Sequence, residues 1–564
     1  MEEFLLGLQK PARYIGQEWN VSKKDIDKAA VKFALSFPDM YELGMSNLGL
    51  RILYSLLNKI DDVVCERVFA PAGDMEKILR DNRLKLPSLE SGKPLNEFDL
   101  LGFSLGYELG YTNVLNILDL AGISLKSKDR GKDDPLVIGG GPCVMNPEPM
   151  HEFFDLFVFG EGEDVVLEII DLYRRRKDEF KSGRLGRLDL LKIFAAVSGV
   201  YVPILGVPQK VQKRFVADLD KAHFPDKWMV PYIQVTHDRI TMEVMRGCSN
   251  RCRFCQARSQ YFPLRLRKPQ TILEQSKCLY SSSGYEEISL TGLSVSDHPG
   301  LGEILPEMVS FFKEKGVSLS LPSMKPKTSL GQVAELLASI KKSGLTFAPE
   351  SASPKLREAL GKDFNEDDFF KTLEGSFRAG YQHVKLYFMV GLPGEQEPDL
   401  DRILDFSARV SELSRKVSGR PAQVNVSINT LIPKPHTCFQ WFAMLGLEQM
   451  KAKQDYLRGH LRNRRIKLSF HNRFMSFMEG VLSRGDRRLS SVILSAFKKG
   501  ARFDGWDEHF DFQRWMDSFS ECGIDPNEYL KEFSANKPLA WGFLDPGIDQ
   551  DFLSAGYEDI KSIL

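Results

Sequence analysis

The chain has 564 residues, and its 76 Lys and Arg are balanced by 76 Asp and Glu, so no overall field draws it to nucleic acid or anionic lipid. Its 43% hydrophobic and 27% charged shares are those of a soluble globular protein, long enough for two or three domains with buried cores. Eight cysteines in so long a chain, three of them clustered, do not form a secreted disulfide framework.

The opening MEEFLLGLQKPARY lacks a basic leader, and its apolar run breaks at Gln9 and Lys10, so no signal peptide is predicted and the expected location is the cytoplasm. The longest apolar region, IFAAVSGVYVPILGVP, is interrupted by Ser, Gly and Pro and falls short of the roughly 18 residues of a membrane span. From about residue 30 to 180, short β-rich runs (VKFALSF, LLGFSLG, PLVIGGG, LFVFGEGE) alternate with helical stretches. That alternation predicts a doubly wound parallel sheet, a Rossmann-like domain over 1–205, whose ligands bind at the carboxyl ends of the strands. Those ends carry the unusual residues: Asp39 to Gly44, Ser104 and Leu105, Gly139 to Gly141, and Gly160 to Glu163.

A connector over 206–237, containing HFPDKWMVPYIQ, precedes a second alternating series over 238–450. Its strand-like runs are RITMEV, EEISLTG, VSLSLPS, LTFAPES, HVKLYFMVG and QVNVSINTLIP. Six such repeats predict a partial (β/α)6 TIM-type barrel. The remainder, 451–564, shows helical periodicity with Phe, Trp and Arg and is read as a helical module.

Just after the first barrel strand, RGCSNRCRFCQARS places Cys248, Cys252 and Cys255 in one loop. A structural zinc normally closes with four ligands in two separated pairs, and the nearest histidines, His237 and His298, are poorly spaced for a fourth. An iron–sulfur cluster also takes Cys ligands, and three thiolates on four irons leave one iron for a small molecule. Cys65, Cys278 and Cys522 are isolated and read as packed or inert thiols.

The C-x3-C-x2-C spacing, with Phe254 directly before the last cysteine, resembles the radical S-adenosylmethionine (SAM) superfamily. The resemblance implies a [4Fe-4S] cluster on the three cysteines, with SAM chelating the open iron and being split to a 5′-deoxyadenosyl radical. It further implies SAM contacts in SLTGLSVSD at Thr291 and Gly292, in FAPESAS at Glu350 and Ser351, and in YFMVGLPGE at Gly391. For each, a plain strand-end turn is the alternative.

In the first domain DMYELG matches the cobalamin pattern D-x-H-x-x-G at Asp39 and Gly44, except that Tyr41 replaces the histidine. Ser104, the glycines Gly139, Gly140 and Gly141, and Gly160 resemble elements that let backbone approach a buried nucleotide tail. A generic nucleotide-binding sheet is the other reading. Imidazole is a good neutral metal ligand and a phenol a poor one, so the resemblance implies a weakly ligated corrin with no histidine on its lower face, Tyr41 shielding or hydrogen-bonding rather than coordinating. Further segments, KPARYIGQEWN, LIPKPHTCFQW, SRGDRR and FDGWDEHF, resemble one subfamily of cobalamin-binding radical SAM proteins along nearly the whole chain. Relatives usually carry Pro where this chain has Cys438; neutral replacement by a small residue is the favoured reading, and a thiol facing the active site is the alternative.

The expected function is an enzyme that uses the cluster, SAM and cobalamin to modify, by methylation in the first instance, an unactivated carbon. An electron donor such as flavodoxin or ferredoxin is the implied partner. RNA is a candidate substrate, because GHLRNRRIK and SRGDRRLS interleave basic residues with Phe470 and Phe474, although internal ion pairs to Asp486, Asp504 and Glu508 explain them equally well. Two alternatives stand beside it: a cobalamin-free RNA-modifying enzyme similar to the methylthio-transferring tRNA enzymes, and a non-enzymatic metal- or corrin-binding module.

Overall fold

The computed structural model describes residues 2–321 and 345–564. Five parallel strands, β1 (Val31–Phe37), β2 (Val63–Phe69), β3 (Leu100–Ser104), β4 (Leu136–Gly140) and β5 (Leu156–Val158), form one sheet in the order β2-β1-β3-β4-β5, and an antiparallel β6 (Val200–Tyr201) closes its edge. Side chains alternate across this sheet as the pleat requires. Phe33 and Leu35 of β1 and Ile138 of β4 pack toward helices Leu48–Asn58 and Glu163–Lys181. Ala34, Leu101, Phe103 and Val137 face the other way, onto helix Tyr111–Leu120. The strand order reverses direction between β1 and β3, and a crevice opens at their carboxyl ends.

The second parallel series runs in chain order. β7 (Ile240–Glu243), β8 (Glu287–Thr291) and β9 (Ser318–Ser320) form one piece. β10 (Leu345–Glu350), β11 (His383–Val390), β12 (Gln423–Thr430) and β13 (Ile466–Phe470) form the other. The end of the run VSLSLPS lies outside the described residues. β13 is a seventh parallel strand beyond the six expected, and it falls within the stretch read as helical. Two cores fill this partial barrel, one under β7–β9 and one under β10–β13.

The carboxyl-terminal helices are not an appendage. Helices Arg473–Arg484, Leu489–Lys498 and Phe512–Cys522 bury Val481, Val492, Ile493 and Trp515 in the same core as Leu101, Phe103, Val114 and Val144 of the first domain. The helical module thus covers one face of the first sheet. Among the described residues no helix is long and apolar enough to cross a membrane.

Candidate active site

A cavity of about 910 Å³ lies where the carboxyl end of the first sheet faces those of β7 and β8. The first domain lines it with Asp39, Ser104, Gly140, Gly141 and Gly160, and the barrel with Glu243, Arg246, Thr291 and Gly292. Gly505 and Trp506 of the helical module complete the wall. The glycines do different work. A Cβ on Gly140 would meet nothing within 4 Å, so its open side faces the cavity. Gly141 (φ +98°) and Gly160 (φ +110°) are required by the backbone itself, because a Cβ would strike Leu105 O at 2.9 Å and Arg214 O at 2.1 Å.

Three residues expected at this site are elsewhere. Gly139 faces the core, with Phe157 2.6 Å from where a Cβ would stand, and Gly44 is pressed against Phe69 at 2.2 Å. Tyr41 is 2% exposed, lies edge-on to Phe69, and donates its hydroxyl to Glu18 Oε1 at 2.7 Å. It does not line the cavity and so shields nothing there; the adjacent Arg67–Glu18 and Arg67–Glu90 pairs commit it to the core. Asp39 stays at the cavity. Its Oδ1 accepts from Trp506 Nε1 at 2.9 Å and from the Met40 N–H at 2.7 Å, and burial raises its carboxyl above the usual range.

The cysteine loop begins beyond β7. Its ends are stapled by the antiparallel pair Arg246 with Arg265, and Gly247 (φ +89°) leaves no room for a Cβ beside the Tyr261 and Pro263 carbonyls, both 2.7 Å away. The tip is held by the Arg253 N–H donating to Leu360 O (2.8 Å) and by Arg253 O accepting from the Cys438 N–H (3.1 Å). All three thiols are half-buried. Burial pushes Cys252 up to about 11, against the favourable charge of Lys362, and raises Cys255 as well. Cys248 Sγ accepts from Asn250 N (3.4 Å) and Nδ2 (3.2 Å).

Among the described residues no three His, Cys, Asp or Glu side chains converge as a site for a single ion. Neither histidine completes one. His298 spends both ring nitrogens, on Arg267 O (2.9 Å) and the Gly300 N–H (3.1 Å), and His237 sits exposed at the cavity rim beside Arg239.

Of the other expected SAM contacts, Thr291 and Gly292 line the cavity and Glu350 lies near the loop. Glu350 ends β10 in the left-handed region (φ +66°), beside Lys362 Nζ at 3.4 Å, and burial raises its carboxyl. Its charge is felt at Cys252. Ser351 is buried and its Oγ accepts from the Ser353 N–H. Gly391 (φ +84°) donates its N–H to Glu395, and Phe254 packs with Leu360, Met389 and Leu431. Cys438 does not face the cavity; its Sγ lies 2.5 Å from where a Cβ on Gly556 would stand, against the last helix.

Sequence reasoning missed a buried charge lattice between the domains. Arg246 binds Glu243 through Nε and Nη2, both at 3.0 Å, and Glu161 and Glu163 through Nη1 at 2.9 and 2.7 Å. Arg265 grips Glu161 at 2.9 and 2.7 Å. The signal was present in GEGE at Gly160 to Glu163 and in the Arg residues flanking the cysteine loop, but no spacing links them.

Residues 49–203 match the family described as radical SAM proteins, N-terminal, and residues 242–407 match the radical SAM superfamily, together more than half of the chain. The chain is a radical SAM protein. An uncharacterized protein of Methanocaldococcus jannaschii is 29% identical to this radical SAM chain over 85% of its length and 96% of the relative's. A tRNA-2-methylthio-N(6)-dimethylallyladenosine synthase of Clostridium novyi is 24% identical over 56% of this chain and 82% of that one. Among solved structures, the cobalamin-dependent SAM radical enzyme OxsB with aqua-cobalamin bound superposes with a TM-score of 0.51 at 14% identity, covering 94% of this chain and 84% of OxsB. What the two chains share is the overall fold.

Proposed function

We propose that this radical SAM enzyme holds a [4Fe-4S] cluster on Cys248, Cys252 and Cys255, binds SAM and cobalamin, and methylates an unactivated carbon of a substrate in the shared cavity. One observation supports the reading: a single cavity joins the carboxyl end of the first sheet to those of β7 and β8 and meets the cysteine loop at Gly247, Gln260 and Tyr261. OxsB, whose fold this chain shares, is described with cobalamin bound.

The residues fit the groups. Desolvation raises the half-buried Cys252 and Cys255 thiols, whose protons a metal would replace, and Asn250 donates two hydrogen bonds to Cys248 Sγ. Gly140 offers an open cradle beside Ser104, Gly141 and Gly160, suited to a bulky planar ligand. When bound, the reduced cluster supplies one electron that splits SAM into methionine and a 5′-deoxyadenosyl radical, and the corrin supplies the methyl group.

The chain's own residues orient and enclose. Thr291 and Gly292 form the barrel wall, where the Gly292 Cβ position is filled by Met245, 2.4 Å away, so that glycine lets Met245 pack behind the wall. Glu350, Ser351 and Gly391 contact SAM from the loop side, with Lys362 holding the Glu350 carboxylate. Phe254 anchors the loop on the apolar cluster that Leu360, Met389 and Leu431 share with the last helix. With the Tyr41 phenol turned toward Glu18, Asp39 and Trp506 are the polar groups of this wall that would help hold a corrin in the cavity. A flavodoxin or ferredoxin supplies the electron. In the second of the two basic runs, Arg484, Arg487 and Arg488 are spent on Tyr529 O, Glu148 and Asp486, so RNA contact would fall to the exposed Arg462, Arg464, Arg465 and Lys467 of the first.

Anaerobic reconstitution tests the proposal. The wild-type chain is expected to take up iron and sulfide, form 5′-deoxyadenosine from SAM, and retain hydroxocobalamin through gel filtration. Cys252→Ala is expected to lose 5′-deoxyadenosine formation by more than tenfold, and undiminished formation overturns the cluster assignment. A cluster-bearing chain that releases all hydroxocobalamin supports the cobalamin-free alternative akin to the Clostridium novyi enzyme.

A further inference from the structure

We infer that Glu161 and Glu163, acting through Arg246, are positioning residues that lock the cysteine loop to the first sheet and set the charge felt at Cys248. The inference rests on the cluster reading above. It begins with connectivity: Arg246 precedes Cys248 by two residues, and each of its side-chain nitrogens is engaged by a carboxylate. Two of those carboxylates, Glu161 and Glu163, belong to the turn after β5, and that turn also lines the cavity through Gly160 and Gly162. Whatever presses on this turn acts on the base of the cysteine loop through a rigid planar fork.

The lattice is buried and charge-matched. Glu161, Arg246, Glu243 and Arg265 are each 8–9% exposed. Glu161, Glu163 and Glu243 balance Arg246, Arg265 and Arg267, the last reaching Glu243 Oε2 at 3.3 Å. Desolvating six charges is costly, and an apolar contact would seal a domain junction more cheaply. What directional charge-assisted bonds add is a fixed register. Glu161 Oε2 also accepts from the Val216 N–H at 2.8 Å, and Arg265 Nη1 donates to Val216 O at 2.7 Å, which ties the connector into the same register.

The electrostatic consequence has a definite sign. Neutralising Glu163 leaves Arg246, two residues before Cys248, under-compensated, and an uncompensated cation beside a cluster favours its more negative, reduced form. Glu163 is the gentlest point of entry because its carboxylate meets the lattice only through Arg246 Nη1.

The test uses the full reconstituted chain and three variants. Glu163→Gln is expected to shift the cluster midpoint potential upward and to speed hydrogen exchange in the 246–260 segment severalfold. Glu163→Asp, which restores the charge, is expected to recover most of the potential. Glu168→Gln, on the same helix but in a 45% exposed pair with Arg214, is expected to change neither. An unchanged potential in Glu163→Gln at wild-type iron and sulfide content overturns the inference while leaving the cluster reading intact. A wild-type chain that takes up no iron and sulfide overturns both.

Discussion

Gly139 and Gly140 are neighbours on β4 under opposite constraints. A Cβ at Gly139 would stand 2.6 Å from the Phe157 ring, whereas one at Gly140 would enter open space in the cavity. Gly139→Ala is therefore expected to cost about 1–3 kcal/mol of stability by overpacking, measured by denaturant unfolding. Gly140→Val is expected to leave stability within about 0.5 kcal/mol, as at sites away from packing constraints, and to weaken hydroxocobalamin retention by tenfold or more. Read as a string, IGGG does not separate these roles, because the face each glycine presents depends on which side of the sheet Phe157 and Phe154 occupy. The same limit applies to Tyr41. Its place in a cobalamin-like motif is legible in sequence; its bond to Glu18, 23 residues earlier, is not. The three cysteines were legible because one loop carries them all.

At the scale of elements, the joint between the helical module and helix Tyr111–Leu120 turns on one carboxylate. Asp504 is fully buried and accepts from Thr112 Oγ1 (2.7 Å) and Trp515 Nε1 (3.2 Å), neutral donors both. Burial raises its carboxyl from 3.8 to about 6. A raised acid binds its proton more tightly when folded, so its contribution to stability is present below 3.8 and lost as pH climbs through about 6. Asp504→Asn removes that titration. The variant is expected to gain on the wild type by on the order of 2–3 kcal/mol between pH 4 and pH 7, read from urea midpoints at each pH. Elements with clear alternation were found from sequence; β13 was not. IKLSF is short, follows the charged run Arg462 to Arg465, and leaves Lys467 and Ser469 exposed, so it carries little apolar signal apart from its pairing with β12.

For the whole molecule, the doubly wound sheet and the radical SAM barrel were legible because each repeats a strand and helix period. The sharing of one core between the first domain and the last helices was not, since no local pattern reports which remote surface an amphipathic helix covers. That shared core makes a prediction. Ending the chain after residue 470 would strip Val481, Val492, Ile493 and Trp515 from Leu101, Phe103 and Val144. The shortened protein is expected to elute as aggregate on gel filtration and to lose a cooperative thermal transition.

The cavity wall is assembled from Asp39, Thr291 and Trp506, segments far apart along the chain. Any occupant that touches all three raises the melting point of the entire molecule by mass action, about 2.7 kcal/mol at a hundredfold excess over its dissociation constant. A thermal-shift screen of small metabolites against the corrin-loaded protein would consequently register the substrate as one displaced transition, whatever product it goes on to form.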